Sequence, residues 1–364
     1  MGVEEEFLLV GDDGVPAGVA SLAAQAHQDS IPDEADDPRP GGGVALELKE
    51  EMLETGTHPC TTVDQLVREI REGRQRLGAA ARAAGARLAA LATSPIEAPS
   101  NVTGMPRYQR MAREYGTTAR EQLTCGCHVH VEVDSREEGV AVLDRIGPWL
   151  PVLLAMSANS PFWHSTDSGY ASYRSQVWNR WPSAGPTAPF GSLAEYDRVV
   201  TELIATGAVL DEKMIYFDAR LSSHYPTVEV RVADVCLDAD DAVLLALLTR
   251  ALVETAAREA ATGAGLGEQR VERLRAAAWR AGRSGLASVL VSPVTFRPAA
   301  AWDVVEALLA HVGPVLDEQG ETDAVVTLLT ALRERGTGAD TQRRWAGQAP
   351  LSALVDRAVA ATAA

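Results

Sequence analysis

Gly2-Val3-Glu4-Glu5-Glu6-Phe7-Leu8-Leu9-Val10 reads as a buried strand interrupted by three successive carboxylates. In a strand, neighbouring side chains point to opposite faces, so Glu4 and Glu6 share one face and Glu5 takes the other. Two carboxylates side by side within an apolar run repel each other and resist burial, and a cation between them relieves both penalties. A Mg²⁺ site is therefore the leading reading of this segment. The alternative is an exposed edge strand with solvated glutamates.

Further segments along the chain carry the same alternation. In the strand expected at 44–48, Glu47 and the adjoining Lys49 share a face, opposite Val44, Leu46 and Leu48. At 52–57, Glu54 lies between Met52 and Gly56 on a common face. At 127–133, His128, His130 and Glu132 alternate with Val129, Val131 and Val133, and at 228–235 Glu229 and Arg231 share a face away from Val228, Val230 and Val232. Each piece alone has a plain structural reading: a satisfied histidine pair, a cross-strand ion pair, solvated glutamates. Together they supply carboxylates, imidazoles and an arginine for a single sheet face. Oxygen-rich sites with an occasional imidazole suit Mg²⁺ or Mn²⁺ better than structural zinc. Several such ions clamp a triphosphate, with arginines neutralising the phosphoryl group in flight.

Around these strands, 63–91 shows helical spacing of Leu66, Ile70, Leu77, Leu88 and Leu91, and 138–159 reads as a helix bent or divided at Pro148 and Pro151. Helical patterns recur near 239–262, 268–283, 301–318, 321–335 and 350–362. Residues 28–43, rich in Pro, Gly and Asp, read as a mobile loop, and 160–192 as a substrate loop carrying Trp163, Tyr170 and Trp178. These aromatics also fit plain packing. Antiparallel strands with helices segregated to one side predict an α+β fold in one catalytic domain over 1–364, with 336–364 as a helical C-terminal tail.

Composition narrows the function. A net charge of −17 over 364 residues argues against nucleic acid or an anionic membrane as the main partner, though not against a nucleotide that brings its own Mg²⁺. No apolar run approaches the roughly 20 residues that span a bilayer, and residues 1–10 lack the features of a signal peptide. Cys60, Cys125, Cys127 and Cys236 do not resemble a disulfide framework. Cys125-x-Cys127 has no matching second pair for zinc, so reduced cysteines in a cytoplasmic protein are expected. No P-loop and no Gly-x-Ser-x-Gly elbow appear, and Gly263-Ala-Gly265-Leu-Gly267 reads as a helix C-terminal turn. A homodimer is the default expectation.

Gly2-Val-Glu-Glu-Glu-Phe7, Thr124-Cys-Gly-Cys-His-Val-His130, Ala158-Asn-Ser-Pro-Phe-Trp163, Tyr173-Arg-Ser-Gln-Val-Trp178 and Pro226-Thr-Val-Glu-Val-Arg-Val-Ala-Asp234 occur in this order. The set resembles the bacterial glutamate–cysteine ligase type 2 family of carboxylate–amine ligases. The resemblance covers nearly the whole chain, roughly 2–335. It implies a glutamine synthetase-like fold, with a curved antiparallel sheet forming a funnel-shaped active site and helices on its outer side. It also implies ATP and Mg²⁺, with small-molecule acid and amine substrates. By position it implies that Glu4, Glu6, Glu54, His128 and Glu229 are metal ligands, with Glu47 a weaker acidic candidate on the amine side. Arg174 and Arg231 would hold the γ-phosphate, Arg283 would reach the nucleotide, and Arg220, Trp163 and Tyr170 would meet substrate. The implied reaction passes through an acyl phosphate that an amine then attacks. Cysteine as that amine comes from the family name alone; a ligase for another amine, a metal-dependent hydrolase and a silent nucleotide-binding protein remain as alternatives.

Overall fold

The computed structural model describes residues 1–30, 40–267 and 269–364. Its frame is a seven-stranded antiparallel sheet. The strands are β1 (Gly2–Val10), β2 (Val44–Leu46), β3 (Met52–Gly56), β4 (Arg87–Ala89), β5 (Gly126–Glu132), β6 (Ala219–Leu221) and β7 (Thr227–Asp234). The order is β2-β3-β1-β5-β7-β6, with β4 also paired to β1. One edge of β1 pairs with β3; the other pairs with β5 through residues 2–5 and with β4 through residues 8–10. The acidic strand is therefore an interior strand, which removes the solvated-edge alternative.

Burial of the odd-numbered face of β1 follows from the helix Val63–Ala83 packed on it. That helix opens with Thr62, whose side chain accepts a hydrogen bond from the Gln65 backbone N–H, and buries Leu66, Ile70 and Leu77. Gly73 permits the close approach: a Cβ there would lie 3.1 Å from Thr55 Cγ2. Glu5 points into this layer and forms a two-pronged pair with Arg74, at 2.6 and 3.1 Å, and both residues are buried. The helix Ala239–Ala261 covers β5 and, with Ala301–Gln319 and Thr322–Arg335, builds the larger apolar core. A second core gathers Phe7, Leu8, Leu9, Val10, Leu77 and Leu91 against Leu354 and Val355 of the last helix, Leu351–Thr362.

Several expectations need correcting. The helix predicted at 63–91 ends at Ala83; Gly85, at a φ of +76°, turns the chain so that Arg87–Ala89 becomes a strand satisfying the second half of β1. Gln28–Ser30 end the helix Ala20–Ser30 rather than opening a loop; of the loop expected at 28–43, residues 31–39 lie outside the described residues. The helix expected at 138–159 with a bend or division at Pro148 and Pro151 does divide there, into Arg136–Ile146 and Leu150–Met156, bent by 70°. Among the described residues, no single helix is long and apolar enough to cross a membrane. Within 160–192 the chain forms a two-stranded ribbon (Phe162–Trp163 with Thr166–Asp167) and a short helix, Arg174–Trp178. The tail at 336–364 is two helices, Gly338–Ala346 and Leu351–Thr362, docked into the second core. All four cysteines are buried and free.

Candidate active site

The even-numbered glutamates of β1 face a cavity of about 280 Å³. Strand register assembles its floor: Glu4 stands opposite Gly56 on one side and His128 on the other, Glu6 opposite Glu54, and His130 opposite Glu229, which is itself opposite Arg220. Glu47, just past the end of β2, completes the acidic group. Three overlapping sets of donor atoms result, Glu4–Glu54–His128, Glu4–His130–Glu229 and Glu6–Glu47–Glu54, each with its atoms within 4.8 Å of one another. Every metal ligand implied by the sequence resemblance therefore lies on this one face, and His130 joins them.

The electrostatics divide the carboxylates into two classes. Burial opposes ionisation of Glu4, but contacts with His128 and His130, at 3.5 and 3.3 Å, hold it well below the usual carboxylate range. Burial likewise opposes ionisation of Glu229, and Arg231 and Arg220 overcome it; Arg220 reaches Glu229 at 2.7 Å and Arg231 is in direct contact. On the other side of the floor, burial and the neighbouring Glu6 push Glu47 up to about 8. Burial and Glu47 push Glu54 well above its ordinary value. Glu6 accepts the Gly126 N–H at 2.6 Å. His128 is driven down by burial and by Arg231, and neither of its ring nitrogens has a hydrogen-bond partner. His130 rises because Glu4 and Glu229 outweigh its burial. Crowded carboxylates that retain protons beside an orphaned imidazole fit a divalent cation: such an ion would replace the shared protons and satisfy the ring nitrogen.

Along β7 the strand alternation breaks at one place. A bulge shifts the β5–β7 register between Cys127 and Val129, so that the three steps from Val230 to Ala233 oppose two on β5. Bulges re-aim side chains. Here Arg231 lines the carboxylate cavity, and both it and Val232, expected to point away, line a second cavity. Arg231 and Trp178 form the wall between the two cavities. Arg174 lines the second cavity and not the first, although its guanidinium also approaches Gly126, whose N–H donates to Glu6. It is 2 % exposed and rests over Trp178, with its guanidinium 4.0 Å from Asp234 and its Nε unpartnered. The cause is a buried knot: Asp234 accepts hydrogen bonds from the Asn159 N–H (2.8 Å), Ser160 Oγ (2.7 Å) and Ser172 Oγ (2.8 Å), and Ser160 Oγ accepts the Arg174 N–H. Gly126 is required at the same spot, since a Cβ there would sit 2.3 Å from Arg174 Nη2.

Three substrate and nucleotide candidates lie outside the carboxylate cavity. Trp163 stacks on His164 and leans on Tyr173, lining a separate recess of about 650 Å³ with Glu97 and Arg120. Tyr170 and Arg283 form a stacked pair against Trp279, at the edge of the second cavity. Arg220 does face the carboxylate cavity, though committed to Glu229 and to the carbonyls of Lys213 and Ile215. Lys49, paired by alternation with Glu47, instead donates to the Arg120 carbonyl and is buried elsewhere. Sequence reasoning missed Tyr108, Trp181, Lys213 and Tyr216 in the cavity wall, and Asp218 in the second cavity. No spacing pattern marks them, because each is placed by the packing of a separate loop or helix.

Residues 1–349 match the glutamate–cysteine ligase family 2. A Frankia alni protein named "Putative glutamate--cysteine ligase 2-2" is 52% identical over 349 residues, covering 94% of this chain and 91% of that one. A Streptomyces coelicolor protein named "Putative glutamate--cysteine ligase 2" is 51% identical over 345 residues, covering 94% and 93%. Among solved structures, a glutamate–cysteine ligase from Francisella tularensis in complex with AMP superposes with a TM-score of 0.66 at 13% identity, covering 100% of this chain and 88% of that one. A bifunctional glutathione synthetase from Pasteurella multocida also gives 0.66, at 16% identity, covering 99% of this chain but 52% of that one, about half its length. At these identities the structural likeness establishes the fold, an α+β architecture around an antiparallel sheet.

Proposed function

Because the chain belongs to the glutamate–cysteine ligase family 2, we propose that it is an ATP-dependent carboxylate–amine ligase, joining glutamate to the amine of cysteine. The observation that carries this reading is the set of three overlapping carboxylate–imidazole groups on one sheet face, next to Arg231. Glu4, Glu6, Glu54, His128 and Glu229, with Glu47 and His130, are the residues that would hold Mg²⁺, which when bound supplies positive charge to the phosphates of ATP. The carboxylate of the acid attacks the γ-phosphorus, giving an acyl phosphate and ADP. The amine then attacks the acyl carbon, forming the C–N bond as the C–O bond to phosphate breaks, and inorganic phosphate leaves with that electron pair. Arg231 is suited to stabilise charge on the transferring phosphoryl group, since a guanidinium binds phosphate oxygens in pairs. Glu47, just past the end of β2 on the cavity wall, is the carboxylate assigned to accept the proton that the attacking amine sheds. The walls of Trp178, Trp181, Tyr108 and Tyr216 keep water from the anhydride. Four buried free thiols agree with a reducing, cytoplasmic setting.

Hydroxylamine trapping over a panel of acids and amines, with ADP release followed in Mg²⁺ and in EDTA, tests the reading. Glutamate-dependent hydroxamate with cysteine-stimulated, Mg²⁺-dependent ADP release is the expected result. A different preferred amine would move the substrate while keeping the chemistry. Substrate turnover that needs no ATP would replace the ligase with a metal-dependent hydrolase.

A further inference from the structure

The second cavity, of about 340 Å³, has one acidic residue in its lining, Asp218, among Arg174, Arg231 and Arg275. The Asp218 backbone is fixed on both sides: its N–H donates to the Gly185 carbonyl at 3.0 Å and its carbonyl accepts the Arg231 N–H at 2.9 Å. Its carboxylate, by contrast, makes no hydrogen bond or ion pair among the described residues. Burial pushes it up to about 7 although Arg174 and Arg275 pull the other way. Among the arginines, Arg174 donates to the Val232 and Arg231 carbonyls at 3.4 Å and Arg231 contacts Glu229, whereas Arg275 has no acceptor among the described residues and is exposed in the cavity lining. A cavity that sets an unpaired carboxylate facing an arginine-lined wall fits a ligand bearing both an ammonium and a carboxylate.

The mouth of the cavity points the same way. Trp279 lines it and donates to Tyr170 Oη at 3.3 Å; Arg280 lies over Trp279 and Arg283 over Tyr170. In a chain of net charge −17, this local cluster of cations draws small anions toward one opening. The volume suits a small molecule rather than a peptide or a nucleic acid.

We propose that this cavity binds an α-amino acid as its zwitterion, with Asp218 receiving the α-ammonium and Arg275 and Arg174 the α-carboxylate. The inference rests on the ligase reading in that the amino acid is one of the two substrates, presented to the carboxylate cavity past the Arg231–Trp178 wall. It reassigns Arg174 from phosphate to substrate.

Trp178 and Trp279 both line the cavity, so tryptophan fluorescence reports its occupancy without turnover. Wild type and Asp218→Asn would be titrated with two pairs of probes that differ in the α-ammonium alone: L-glutamate against glutarate, and L-cysteine against 3-mercaptopropionate. Wild type is expected to prefer the amino member of at least one pair tenfold or more, and Asp218→Asn to reduce that preference to threefold or less. Discrimination in the glutamate pair identifies the acid substrate, and in the cysteine pair the amine substrate. Arg275→Gln should weaken both members of the responding pair about equally, which serves as a second measurement should Asp218→Asn fail to fold. Binding of none of the four, equal binding within both pairs, or discrimination that survives in Asp218→Asn would overturn the proposal. ADP release measured alongside separates the two readings: discrimination without ATP turnover on any acid and amine removes the ligase, whereas turnover without discrimination removes the zwitterion site.

Discussion

Replacing Glu5 with alanine strands the Arg74 guanidinium in a buried layer, where it keeps only the carbonyls of Cys236 and Leu237. Breaking a buried pair in this way costs about 3–5 kcal/mol, and urea unfolding of Glu5→Ala should show a loss of that size. One position either side, the outcome is reversed. Glu4→Ala, and likewise Glu229→Ala, should keep the fold while lowering Mg²⁺-dependent ADP release by about 10²-fold or more; near-normal ADP release in both variants at saturating substrates would sink the metal assignment. Alternation along β1 was enough to separate these roles, because a period of two fixes the face of every residue once one face is known. The identity of the Glu5 partner was not legible, since Arg74 is set by where a helix lands. The surroundings of Arg174 were not legible for a related reason: its position depends on Asp234, and that dependence runs through serine hydroxyls that leave no pattern in the sequence.

Among the elements, the last helix is the one whose importance the sequence understated. Leu354 and Val355 are fully buried against the strands β1 and β4, and Thr362 Oγ1 accepts the Ala90 N–H at 2.8 Å. Its neighbour Gly338–Ala346 sends Gln342 into the Asn159 turn, at 2.6 Å to Oδ1 and 2.8 Å to the carbonyl. Leu354→Ala should therefore destabilise by about 2–5 kcal/mol, as large-to-small core changes do; a urea midpoint unchanged from wild type would show that the helix is peripheral. Helical periodicity at 350–362 identified the element but not its seat, because an amphipathic stripe states that a face is buried and not against what. The opposite error occurred at 63–91. Leu88 and Leu91 continue the helical spacing by coincidence, and the left-handed Gly85 together with the unpaired end of β1 decides for a strand.

For the molecule as a whole, the crowded carboxylates set a pH dependence. Glu47 and Glu54 hold their protons in the fold above the pH at which an unfolded chain releases them. Between about 4.5 and 8 the folded state therefore binds more protons, and stability falls as pH rises through that window. Asp218 and Asp234 act in the same sense, while His128, kept neutral by burial, acts against it near its ordinary pKa. The ion-free protein should accordingly have a higher Tm at pH 6 than at pH 8, and the increment from added Mg²⁺ should be larger at pH 8; a Tm that rises from pH 6 to 8 without metal would contradict this charge arrangement. The α+β class and the inward carboxylates were legible in the sequence because both follow from periodicity. The division into two cavities was not, because it turns on a single bulge opposite His128 and on Trp178 standing beside Arg231. The central place of β1 also bears on the order in which the chain is made. Its partners β3 and β4 leave the ribosome within the first ninety residues, whereas β5 ends at Glu132 and β7 at Asp234. All four carboxylates of the acidic half, Glu4, Glu6, Glu47 and Glu54, are thus made before the histidines and arginines that balance it, so pairing of β1 with β3 ahead of β5 would bring them together with only protons or a captured cation to offset their charge.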